Sequence, residues 1–375
     1  MIRIIFTVFE LVLCAHIGMA QSKEIDSSDY EKGMQAYQTQ SYEIGISYFT
    51  SDIAKHPLHY ESYMYRGCCY AFRHNASLAV YDLKIAKKHL TDNAVIDYGL
   101  GFAYNDLLDF DNAIKYLDKT ISIDSKNALA YNARGISYQK LKKPRIAIEC
   151  YSRAIKLDSD FAIAYNNRGT AIYENQDIEP ASEYDIKSAI KDFDKAIIFS
   201  PNFCLALRNR GLSFMFIGKN ELALKDFNQA LKCDDRNPVY YLDRGSLYTT
   251  TGQYSLAKED FNSALSLNPK IAEAYILIGE VRNKEGSLED AILNEKQAYT
   301  IDATFTGLSY YNIARFYCMA KEKVQMLKYL KMARKERYFK PINNLVNFLK
   351  DTDFIKFKND KDFDDFRNSV RNNRL

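Results

Sequence analysis

Five arginines recur along the chain in near-regular steps: Arg66, Arg134, Arg168, Arg210 and Arg244. A row of guanidinium forks could hold a polyanion or a series of carboxylates, because each fork presents several donors in one plane. An aspartate travels with four of them. Asp82, Asp192, Asp226 and Asp260 stand at a matching place after Arg66, Arg168, Arg210 and Arg244, whereas Cys150 stands there after Arg134. Where the arginine place is apolar (Leu100, Ile278, Ile313), the aspartate place is uncharged (Tyr116, Asn294, Tyr329). This internal covariation predicts the ion pairs Arg66–Asp82, Arg168–Asp192, Arg210–Asp226 and Arg244–Asp260 in preference to an anion ladder. It leaves Arg134 as the arginine freest for another use.

Other reactive side chains are few. Beyond His16, the histidines are His56, His59, His74 and His89. His56, His59 and His89 fall near one edge, which permits a metal site; solvent-facing loop histidines are the plainer reading. There is no glycine-rich phosphate loop, no Gly-x-Ser-x-Gly and no His-Glu-x-x-His, so neither an enzyme nor a cofactor is expected. Six cysteines follow residue 20 (Cys68, Cys69, Cys150, Cys204, Cys233, Cys318), none in a Cys-x-x-Cys pair. Most occupy small apolar places and read as buried thiols. In an oxidising compartment Cys204 and Cys233 could bridge, since antiparallel helices would bring their ends together.

The elements that carry these residues follow from a repeat. Gly33, Gly67, Gly101, Gly135, Gly169, Gly211, Gly245 and Gly279 are spaced by 34 residues, with one step of 42 after Gly169, and Ala314 follows 35 residues later. With each glycine counted as place 8, place 11 is mostly aromatic (Tyr70, Tyr104, Tyr138, Phe214, Tyr248, Tyr317). Place 24 is aromatic or leucine (Phe49, Leu83, Leu117, Tyr151, Phe193, Phe227, Phe261, Leu330). Places 20 and 27 are mostly alanine, as in Ala113, Ala147, Ala154 and Ala196. Spacings of 3, 4 and 7 put these residues on single helix faces, so each unit predicts two amphipathic helices. Gly218, Gly252 and Gly286 stand at place 15, where a left-handed residue would stop the first helix.

This pattern resembles the tetratricopeptide repeat, a helix–turn–helix unit of about 34 residues. The resemblance covers residues 26–340 and implies an all-α, right-handed superhelical solenoid of about nine repeats. Departures occur: the chain has no tryptophan and place 4 is Tyr63, Tyr131, Tyr165, Tyr241, Tyr275 or Tyr310 instead, Gly45 and Asp52 replace alanines in the first unit, and Glu295 replaces the aromatic of the eighth. The resemblance also implies a concave surface lined by first helices at places 2, 5, 9 and 12. Across the middle units these give Tyr98, Phe102, Asn132, Ile136, Asn166, Thr170, Tyr173, Arg208, Leu212 and Met215. Asparagines beside apolar residues suit an extended peptide, whose backbone needs hydrogen bonds while its side chains seek apolar contact.

The ends differ from the array. Residues 1–20, with Arg3, an apolar run and Gly18-Met19-Ala20, read as a secretory signal, followed by a linker at 21–25. No later run approaches a membrane span, so a soluble, exported, periplasmic or secreted protein is expected. The insertion near 175–182 reads as a surface loop or a partner contact. Residues 341–375 break the period, and their Phe354, Phe357, Phe363 and Phe366 predict a helical cap over the last repeat. A net charge of +3 from 51 basic and 48 acidic residues, well mixed, argues against nucleic acid as partner. The expected function is a scaffold that binds a protein or peptide in its groove. Self-association through an end face is the alternative, and an enzyme or metal-binding role a lesser one.

Overall fold

A computed structural model describes residues 28–174 and 182–372, which form helices joined by short turns. The expected signal, the linker and all of the insertion except Ser182 lie outside the described residues. The chain divides into two compact units, Met1–Ser213 and Phe214–Leu375, and the division falls inside one helix.

In the first unit ten helices precede that helix. They are α1 (Ser28–Gln38), α2 (Tyr42–Lys55), α3 (Tyr60–Phe72), α4 (Ala76–His89), α5 (Ala94–Asp106), α6 (Phe110–Ile123), α7 (Ala128–Lys140), α8 (Pro144–Leu157), α9 (Ala162–Glu174) and α10 (Glu183–Phe199). The dividing helix is α11 (Cys204–Phe216). Odd and even neighbours pack as antiparallel hairpins, and α2, α4, α6 and α8 each pack on the next odd helix. Odd helices also touch each other in sequence, α1 on α3, α3 on α5, α5 on α7 and α7 on α9, so they form one layer. Local chemistry sets the starts. Asn93 caps α5 by accepting from Val95 N at 2.9 Å, Asn127 caps α7 through Ala130 N at 2.9 Å, and Pro144 opens α8. Ser182 and Asp185 close a capping box on α10.

Close approach of the two helices explains place 8. A Cβ on Gly135 would lie 2.5 Å from a ring carbon of Tyr151, so only glycine lets this aromatic fill the hairpin. Place 15 is left-handed in every hairpin whose turn is described within one unit. Gly218, Gly252 and Gly286 have φ of 72°, 76° and 84°, and Gln40, His74, Leu108, Lys142 and Lys321 adopt the same region. The turn geometry is thus imposed by hairpin packing, at a cost of roughly 1–2 kcal/mol where the residue has a Cβ.

The second unit continues from α11 with α12 (Asn220–Cys233), α13 (Pro238–Thr250), α14 (Tyr254–Leu267), α15 (Ala272–Lys284), α16 (Leu288–Ile301), α17 (Thr306–Met319) and α18 (Lys323–Lys335). After the period ends come α19 (Ile342–Lys350), a 3-10 segment (Thr352–Phe357) and α20 (Lys361–Asn372). Leu345, Phe348, Phe354, Phe363, Phe366 and Val370 form one core with Met326, Leu330 and Ala333 of α18. This closes an apolar face that has no following repeat.

Candidate functional site

The odd-helix layer of the first unit holds most of the residues expected to line the groove. None of the ten is fully exposed, and Tyr98, Asn132 and Asn166 are buried. On α5, Tyr98 and Phe102 join Tyr37, Cys68, Ala71, Phe72, Val95 and Gly99 around an apolar pocket open to solvent. Phe102 lies 6.2 Å from Phe72 and 6.4 Å from Tyr98 between ring centroids. Its lining is almost wholly apolar, and its free space is small.

Farther along, the layer turns polar. Asn167 donates to Asn132 Oδ1 at 3.1 Å, and Asn209 donates to Asn166 Oδ1 at 3.0 Å and lies 3.4 Å from Thr170 Oγ1. Ser137 Oγ donates to Asn105 Oδ1 at 2.6 Å, and Asn105 Nδ2 donates to Ala133 O at 3.1 Å. The oxygens of Asn132 and Asn166 are therefore already engaged between α7, α9 and α11. Their first task is to join neighbouring helices, because a buried amide without a partner is costly. Ile136, Thr170, Tyr173, Arg208 and Leu212 are half-buried, as is Met215 in the second unit. Asn105, Asn167 and Asn209 were not among the expected residues. Recurrence of asparagine at place 6 in successive units is the signal that marks two of them.

The arginine series sits apart from the pocket and does structural work. Arg66 grips Asp82 with Nε and Nη2 at 2.7 and 3.0 Å, Arg168 grips Asp192 at 2.8 and 2.7 Å, and Arg244 grips Asp260 at 2.8 and 2.7 Å. Each fork has a further use for Nη1. It reaches Thr50 from Arg66, Ser152 from Arg168 and Asn228 from Arg244, at 3.1, 3.1 and 2.7 Å. Arg210 reaches Asp194 through Nη1 at 2.7 Å, and its expected partner Asp226 belongs to the second unit, where it is buried.

Arg134 corrects an expectation. Lacking an aspartate in its own hairpin, it pairs with Asp118 of the preceding one, Nη1 to Oδ1 at 2.6 Å, and is not free. Thr50, Asp118, Ser152, Asp194 and Asn228 all stand at place 25 of the preceding unit, so every arginine ties two repeats together. Tyrosines at place 4 cover three of the forks, with Tyr63, Tyr131 and Tyr165 5.5, 5.3 and 5.6 Å from their arginines.

The remaining candidates have other occupations. Cys68, Cys69, Cys150 and Cys318 are buried free thiols, Cys204 and Cys233 belong to different compact units, and the Cys204 thiol faces Asn202 O at 3.4 Å. Burial pushes the Cys68 thiol up to about 12, away from thiolate chemistry. His59 bonds the buried Asp52 at 2.6 Å, His89 stacks on Tyr60 with centroids 3.7 Å apart, and His74 bonds Asp106 at 2.8 Å. Among the described residues no group of three histidine, cysteine or acidic side chains is placed to hold a metal, and no helix is long and apolar enough to cross a membrane.

Comparison with known proteins agrees with this architecture. Models of the tetratricopeptide repeat match residues 128–161, 98–127 and 239–271, and a TPR repeat model matches 147–176. No curated protein sequence matches the chain. Among solved structures, the APC/C hetero-tetramer Cut9–Hcn1 aligns over 72% of this chain at 16% identity with a TM-score of 0.58. This chain spans about half of that one, 52%. A tetratricopeptide repeat protein from Parabacteroides merdae ATCC 43184 aligns over 68% of this chain and 98% of its own length, at 15% identity and a TM-score of 0.51. These likenesses concern the fold. The repeat-model matches and the stacked helical hairpins agree that residues 98–176 and 239–271 of the chain are tetratricopeptide repeats.

Proposed function

We propose that the chain is an exported interaction scaffold that holds an extended segment of a partner protein along the odd-helix layer of its middle repeats. The observation that carries this reading is the continuity of one layer from the apolar pocket at Tyr98 and Phe102 to half-buried Ile136, Thr170 and Tyr173. An aromatic pocket followed by amide and hydroxyl groups offers apolar anchoring first and backbone hydrogen bonding after it. In this reading residues 1–20 direct export to the periplasm or the exterior, 26–340 form the array with the 175–182 segment at its edge, and 341–375 close it.

The test selects peptides from a displayed random library on the full chain, then measures their affinity for Phe102→Ala/Ile136→Ala. Loss of about tenfold or more in affinity, with helix content unchanged by circular dichroism, is the expected result. Equal binding by both proteins, or no enrichment on the parent chain, removes the groove as the site. Export is checked on protein recovered from its source cells, whose N-terminus should be Gln21. A Met1 start overturns it.

A further inference from the structure

In α17 the places that line the groove elsewhere are Tyr311 (place 5), Arg315 (place 9) and Cys318 (place 12). All three meet one short segment of the same chain. Tyr311 OH donates to Asp351 Oδ2 at 2.5 Å, and Arg315 grips Asp353 Oδ2 through Nε at 2.8 Å and Nη2 at 2.7 Å. The Asp351 carboxylate also lies 3.4 Å from Arg315 Nε, and the Cys318 thiol faces Asp353 O at 3.0 Å. Asp351 Oδ1 accepts from Asp353 N at 2.9 Å, a local turn that aims both carboxylates at the same guanidinium. Phe354 follows and is buried, with its ring 6.0 Å from Tyr311, 5.6 Å from Phe348 and 5.6 Å from Phe363. Beyond Arg315 stands Glu280 of α15, at 3.6 Å.

Covering the last apolar face explains the seat of Phe354, which shares one core with Leu345, Phe348, Phe363, Phe366, Val370, Met326, Leu330 and Ala333, but it does not explain the polar contacts. A cap needs no acidic pair laid across α17. Two carboxylates with one residue between them, followed by an aromatic, instead form a ligand with its charge matched to Arg315, its hydroxyl partner at Tyr311 and an apolar seat for its ring. Arg315 is the one cation at place 9 among Met34, Cys68, Phe102, Ile136, Thr170, Leu212, Ser246, Glu280 and itself.

We propose that the inner face of α17 is a binding site for a peptide segment of the form acid-x-acid-aromatic, and that Asp351–Phe354 is its resident, displaceable occupant. The partner segment enters when this strap leaves, while α19 and α20 stay docked. Lys323 helps hold α20 in place, with its ammonium 2.7 Å from both Asp360 and Asp362. The proposal does not rest on the groove of the middle repeats, and its variants lie in other residues.

The probe is a fluorescein-labelled peptide of residues 350–358, added to the full chain and followed by anisotropy. Asp351→Asn/Asp353→Asn weakens the resident strap by charge alone and should bind the probe about tenfold more tightly than the parent chain. Adding Arg315→Met should abolish that gain. Equal affinity of the probe for parent and double variant, or binding that survives Arg315→Met, overturns the proposal. Hydrogen exchange on the unaltered chain provides a reading that no folding defect can confound. Amides at 351–357 should exchange ahead of those in α19 and α20, and exchange in step with the cap helices would show that the strap does not open by itself.

Discussion

Asp82, Asp192 and Asp260 are buried carboxylates in the second helices of their repeats, and Glu295 is another, but the two groups are stabilised in opposite ways. The aspartates each face an arginine fork from the first helix of their own hairpin. Glu295 is fully buried at the place where other repeats put an aromatic or leucine. It accepts from Asn312 Nδ2 at 2.8 Å, its second oxygen has no hydrogen-bond partner, and no cation is in bonding reach. Burial pushes its carboxyl up to about 8, against smaller opposing contributions from Ser309 and Asn312. What stands across the hairpin therefore differs: the aspartates meet a guanidinium, whereas Glu295 meets only an amide and a hydroxyl, whose pull toward the charged form is too small to offset burial.

The largest effect should come from breaking a fork. Arg168→Met leaves Asp192 buried with no cation, a loss of about 3–5 kcal/mol in denaturant unfolding. Replacing both, as Arg168→Met/Asp192→Leu, removes the orphaned charge and should recover most of that loss. If the double variant is as unstable as the single one, the fork is not what stabilises this hairpin.

Glu295 should act in the opposite direction along the pH axis. Its carboxyl is raised in the folded chain to about 8 from an ordinary value of 4.5, so between these values the folded state holds a proton that the unfolded state has lost. Stability must then fall as pH rises through this window, by up to about 1.4 kcal/mol per unit. Over two units that is roughly 2–3 kcal/mol, and above the folded value the loss levels off. Glu295→Gln keeps the shape and the Asn312 contact but cannot ionise, so its unfolding should lose this pH dependence. An equal slope in parent and variant would assign the titration elsewhere.

Sequence reading reached these two cases unequally, for a physical reason. Arg–Asp partnership inside a hairpin repeats at fixed places, so the chain contains its own control in the units where both places are uncharged. Glu295 was visible only as a departure from the pattern, since nothing in a single unit tells whether a glutamate turns inward. The pocket at Tyr98 and Phe102 was likewise legible from place number, because helix periodicity fixes which way a residue faces. Mutual engagement of Asn132, Asn166, Asn167 and Asn209 was not, as amides can bond to a ligand or to each other and only distance decides. Arg134 failed for a third reason: its partner Asp118 lies in the preceding repeat and at place 25, not at the place where the other aspartates recur.

That failure points to the smallest and most specific test. Thr50, Asp118, Ser152, Asp194 and Asn228 supply the Nη1 acceptor at place 25 ahead of every arginine. Lys84 and Lys296 stand there ahead of the apolar Leu100 and Ile313, and Asn262 ahead of Ile278 is the exception. If the arginine clasps two repeats, Asn228→Ala should cost about 1 kcal/mol, the value of one hydrogen bond at a half-buried site. The same change made on top of Arg244→Met should cost close to nothing, because the donor is already gone. A double-mutant cycle over Asn228 and Arg244 separates the outcomes: coupling near 1 kcal/mol supports the clasp, and additive losses would reduce place 25 to a surface residue that happens to lie nearby. The result also bears on cooperativity, since a bond from α13 back to α12 couples the stability of one hairpin to that of the hairpin before it.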